Sequence, residues 1–193
     1  MVRRARSLYS TSQALQPACA PEPSVESTTM SRIATPALAI ALCLLGTAAQ
    51  AQAVRTEKNM SLELANQIAA RSVAACAANG YAVTATVVDR AGTVRAVQRA
   101  DNAGPRTLEA SRLKAYTAAS AKNSTLAIME GAQKNPGAAN LKDIPGYLLL
   151  GGGFPVKVES EVIGAVGIAG APGGHLDDQC AQAALAKVAD LLK

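Results

Sequence analysis

Apolar positions recur at helical spacing soon after residue 60: Leu62, Leu64, Ile68, Val73 and Cys76 fall on or near one stripe. Ser61 precedes them as an N-cap and Asn79-Gly80 follows as a stop signal, which predicts a first helix. The period then changes. Residues 83–88 read as a strand, Asp89-Arg90-Ala91-Gly92 as a turn, and residues 93–99 alternate with a period of two. This hairpin places Arg95 and Arg99 on one face of its second strand. Pro105 suits the first turn of a helix over residues 106–120, with Leu108, Arg112, Ala115 and Ala119 at helical spacing. A second helical piece is expected over residues 125–131, and residues 133–145, with two Pro, two Asn and a Gly, read as a surface loop.

Residues 147–150 and 154–158 read as short strands around Gly151-Gly152-Gly153. Residues 162–170 form a largely apolar strand whose Gly164, Gly167 and Gly170 suggest close backbone approach. Asp177 or Asp178 would open and cap a final helix running through Cys180, Leu185, Val188 and Leu191. The predicted order is α-β-β-α-α-β-β-β-α. Successive hairpins with interspersed helices imply an α/β (α+β) domain, its antiparallel sheet covered by helices, and not a doubly wound parallel sheet.

Upstream, Met30 begins a run with Arg32, an apolar stretch at residues 37–45 and small residues at Ala49, Ala51 and Ala53. That order predicts a secretory signal peptide over residues 30–53 and a periplasmic or secreted domain over residues 54–193. The apolar stretch is shorter than the roughly 20 residues a membrane span needs. Residues 1–29 lack apolar periodicity and are expected to be a disordered extension, or to follow from an upstream start codon.

Composition narrows the function. The chain has no Trp, one Phe and four Tyr, so its core must come from Ala, Val, Leu and Ile. The formal charge of +5 owes much to Arg3, Arg4, Arg6 and Arg32, and residues 54–193 keep 15 basic and 12 acidic side chains. A balance so even, spread singly along the chain, gives no footprint for nucleic acid. Cys76 and Cys180 remain after the leader: an even pair in an oxidising compartment is a candidate disulfide, and two buried free thiols are the alternative. If the first and last helices lie side by side, the two can meet. No Gly-x-Ser-x-Gly or phosphate-loop pattern is present, and a single His with two separated Cys makes a structural zinc site improbable.

Five segments in register resemble the GlcG/HbpS family: Val87-Val88-Asp89-Arg90-Ala91-Gly92, Asp101-Asn102-Ala103-Gly104-Pro105, Ser111-Arg112-Leu113-Lys114-Ala115-Tyr116-Thr117-Ala118, Gly151-Gly152-Gly153-Phe154-Pro155-Val156, and the stretch from Gly164 to Pro172. The resemblance implies a profilin-like fold with a five-stranded antiparallel sheet flanked by helices, often in homo-oligomers. Members near HbpS bind haem and iron outside the cytoplasm and degrade haem, whereas GlcG has no settled activity. Thr117 matches the neighbourhood of an unusual threonine contact to the haem iron, with a helix Thr bonded to its own backbone as the alternative. Arg106, Arg112 and Lys114 are candidates for the haem propionates, or for surface ion pairs, and Tyr116 lies among them. His175, the only histidine, is the other candidate iron ligand; otherwise it is a solvated residue near a helix start. The resemblance thus points to an exported haem-binding protein that sequesters, relays or slowly degrades haem. An accessory protein or enzyme acting on a small organic acid, and a non-catalytic sensor or scaffold subunit, are the other readings.

Overall fold

A computed structural model describes residues 54–193; the predicted extension and signal peptide lie outside them. Helix α1 (Leu62–Ala77) begins where Ser61 Oγ accepts the Leu64 N–H. Strands β1 (Thr84–Asp89) and β2 (Val94–Arg99) follow as an antiparallel hairpin, whose turn is held by the Asp89 carboxylate accepting the N–H groups of Ala91 and Thr93. Helices α2 (Thr107–Ala121) and α3 (Thr125–Lys134) come next, then a 3₁₀ helix (Pro136–Asp143). Strands β3 (Gly153–Val158) and β4 (Glu161–Ala169) form the second hairpin, and α4 (Gly174–Ala186) and a 3₁₀ turn (Ala189–Leu191) end the chain. Among the described residues no helix is long and apolar enough to cross a membrane.

The sheet is antiparallel throughout with four strands in the order β2-β1-β4-β3, not the expected five. Residues 147–150 are the missing strand. Their backbone groups are taken by helix side chains and by local turns, not by a neighbouring strand: Thr117 Oγ1 accepts the Leu148 N–H at 2.8 Å, Thr125 Oγ1 donates to the Leu150 carbonyl at 2.7 Å, and the Tyr147 and Leu150 N–H groups donate to the Ile144 and Leu148 carbonyls. Two further expectations are corrected. The 3₁₀ helix occupies much of the stretch read as loop. Helix α4 starts at Gly174, ahead of Asp177 and Asp178, which lie inside it and are buried, and it stops at Ala186 short of Leu191.

Alternation along β1 gives the sheet two different faces. Ala85 and Val87 point into the main core with Leu64, Ile68, Cys76, Val166, Ile168 and Cys180, which α1 and α4 cover. Thr84, Thr86 and Val88 face α2. Thr84 and Thr86 hydroxyls hydrogen-bond Thr107 and Ser111, and Val88 packs with Ala115, Ala118, Ala119 and Ala165. Alanines and Gly167 let α2 lie almost on the sheet: a Cβ at Gly167 would overlap the Ser111 carbonyl and the Ala115 amide. On the opposite face a disulfide joins Cys76 of α1 to Cys180 of α4, their Cα atoms 5.3 Å apart.

Candidate functional site

Close packing of α2 on the sheet decides which of its side chains can meet a ligand. Thr117 is fully buried; its hydroxyl donates to the Leu113 carbonyl at 2.8 Å and accepts the Leu148 N–H. It holds residues 147–150 against the helix and presents nothing to a ligand. Tyr116 is half-buried, its ring wedged so that a Cβ at Gly92 or Gly146 would lie 2.7 or 3.3 Å from it, and it meets Tyr147 edge-to-face at 6.5 Å. Arg112 points outward and forms a bidentate pair with Glu109, whose carboxyl the guanidinium holds below its ordinary pKa.

Lys114 is on the opposite side of the helix, 1% exposed. Its ammonium donates to the Ile168 carbonyl and to Asp177 Oδ2, both at 2.8 Å, while Asp177 Oδ1 accepts the Ala171 N–H at 3.0 Å. Burial lowers the lysine pKa against the pull of Asp177, and burial raises the Asp177 carboxyl against the pulls of Lys114 and the Ala171 amide. The backbone at Gly152, with φ +113, makes room for the pair: a Cβ there would lie 2.6 Å from Asp177 Cβ and 3.0 Å from Lys114 Nζ.

Two clefts of similar size open beside these residues. The first, about 350 Å³, lies between α3, the 3₁₀ helix and the segment before β3, lined by Met129, Ala132, Gln133, Ala139, Lys142, Tyr147, Leu148 and Leu149. Behind its wall sit Thr117, through its bond to Leu148, and Tyr116, through its contact with Tyr147. The second, about 330 Å³, is lined by Arg106, Thr107, Ala110, Lys114, Leu150, Asp177 and the chain from Ala169 to Gly174. His175, next in the chain after Gly174, is exposed and is not part of the lining, its imidazole folded back so that a Cβ at Gly173 would lie 2.7 Å from it.

The structure therefore divides the residues singled out by sequence. Arg106 and Lys114 share the second cleft, with His175 beside it; Tyr116 and Thr117 back the first; Arg112 belongs to neither. Met129, Lys142 and Tyr147, which line the first cleft, and Asp177, which lines the second, were not among the candidate ligand-binding residues. Tyr147 heads an apolar run that reads as a strand, and Asp177 reads as a cap, so neither carries a local signal.

The model for the family described as "Haem degrading protein HbpS-like" matches residues 60–186. The chain belongs to the HbpS-like family. Protein GlcG of Escherichia coli K12 is 33% identical over 115 residues, 60% of this chain and 84% of GlcG. A 15.0 kDa protein from a dhaT-dhaS intergenic region of Citrobacter freundii is 37% identical over 92 residues, 46% of this chain and 63% of that protein. Among solved structures, a double mutant of HbpS from Streptomyces reticuli is 38% identical with a TM-score of 0.66, covering 73% of this chain and 94% of that one. The complex of PduOC with heme is 25% identical with a TM-score of 0.59, covering 66% and 94%.

Proposed function

We propose that this HbpS-like chain is an exported haem-binding protein that sequesters, relays or slowly degrades haem, and that the first cleft receives the porphyrin. One observation carries the choice of cleft: Tyr147 and Met129, both side chains of types that ligate haem iron, line the same largely apolar cavity with Lys142 as its one charged residue. Those residues fit the group. The walls of Ala132, Ala139, Leu148 and Leu149 suit a porphyrin face, Tyr147 or Met129 would meet the iron, and Lys142, exposed and paired with Asp143 at 2.7 Å, would exchange that partner for a propionate. Bound haem would supply the iron for any oxidation of the ring. The chain's part is to hold and orient it. A volume near the low end of the roughly 300–1,000 Å³ typical of ligand sites leaves part of a porphyrin outside, which favours a second copy as its cover. Export is supported by the leader pattern and by the disulfide, a bond that persists in oxidising compartments.

Hemin titration into the purified protein tests this reading. A saturable shift of the Soret band is expected at micromolar protein. Tyr147→Phe should change the band or abolish it, whereas Thr117→Ser and His175→Ala should leave it intact. Absence of any shift in the parent protein removes the haem reading. Loss confined to His175→Ala moves the iron to the other cleft.

A further inference from the structure

The second cleft has a different chemistry. Its floor is the Lys114–Asp177 pair, sealed at 1% and 2% exposure, so its charges cancel in place. Two of the three ammonium hydrogens are committed, to Ile168 and Asp177, and the third has no partner among the described residues. Arg106 lines the same cleft, is exposed, and forms no ion pair with a described residue. The lining side chains therefore carry a single net positive formal charge, on a guanidinium, with the N-terminal backbone of α4 at Gly173 and Gly174 beside it. Between the two ends the walls carry the apolar side chains of Ala110, Leu150 and Pro172, with Thr107 beside Arg106 and glycine backbone at Gly170, Gly173 and Gly174.

We propose that this cleft binds a short-chain aliphatic monocarboxylate. The carboxylate is held in bidentate fashion by Arg106, which matches its geometry. The alkyl chain runs along Ala110, Leu150 and Pro172 toward the neutral floor. Arg106, the N-cap residue of α2, and Lys114 within it are eight residues apart, roughly 12 Å of helical rise, which leaves room between them for a chain of several atoms. Charge excludes the obvious competitors. A phosphate dianion would leave one negative charge uncompensated beside Asp177, and an alkylammonium would meet Arg106. Haem binding in the first cleft is not required for this site, and the two stand or fall separately.

The test follows butyrate binding to the purified protein by amide chemical shifts, with inorganic phosphate and butylamine as controls. Saturable shifts are expected at residues 106–114 and 169–174 with butyrate and not with either control. Arg106→Met should weaken butyrate at least tenfold by removing the charge. Ala110→Leu should weaken it comparably by filling the cavity while leaving every charge in place, and both positions are solvent-facing enough to keep the fold. Unaltered affinity in both variants, phosphate displacing butyrate, or no saturable shift in the parent protein would each overturn the proposal. Hemin titration of Arg106→Met, in which the Soret response should persist, keeps failure here distinct from failure of the haem reading.

Discussion

Lys114 is ion-paired in a place that water does not reach, and its removal alone is costly for that reason. Lys114→Met leaves the Asp177 carboxylate buried with the Ala171 amide as its remaining partner, and should destabilise the fold by about 3–5 kcal/mol. Lys114→Met combined with Asp177→Leu should recover most of the loss, because an apolar pair carries no desolvation penalty. Urea unfolding of the single and double variants measures both, and a single-variant loss below about 1 kcal/mol would contradict the pairing. Gly167→Ala tests the approach of α2 to the sheet. Its Cβ would meet backbone of α2, so a loss of about 1–3 kcal/mol or more is expected in the same assay, and a neutral outcome would deny the contact. At this scale the sequence was only partly readable. Arg106 and Lys114 could be put on one helix from spacing, but Asp177 is 63 residues from Lys114 in the chain, and no local periodicity links them.

Elements were the most legible level because their signals are local. Ser61 before an apolar stripe, the Asp89-to-Gly92 turn and the alternation after it identify α1 and the first hairpin to within a residue or so. Residues 147–150 misled because a short apolar run does not say who takes its backbone hydrogen bonds; here the hydroxyls of Thr117 and Thr125 do. Pairing between elements also exceeds what sequence reveals, and α1 with α4 is the instructive case. The Cys76–Cys180 bond closes a loop of 104 residues, so Cys76→Ala with Cys180→Ala should lower stability by about 4–5 kcal/mol in the loop-entropy model. Thermal unfolding with and without reductant checks it: the parent protein should lose melting temperature under reducing conditions and the double variant should not respond.

For the whole molecule, the HbpS-like fold explains how one small α/β domain carries two clefts of unlike chemistry on an otherwise closely packed sheet. Close packing by alanine and glycine on the α2 face leaves little interior space, so ligands are confined to the margins: one cleft against α3 and the 3₁₀ helix, the other between the start of α2 and the start of α4. Membership of the family was legible from five segments in register, yet the location of a ligand was not, since it depends on which side of α2 each residue takes. Chemical-shift mapping with a diamagnetic porphyrin, gallium protoporphyrin, tests the central claim most directly. Saturable perturbations concentrated between residues 129 and 149 are the predicted result. Perturbations confined to residues 106–114 and 170–175, or none at all, would contradict it.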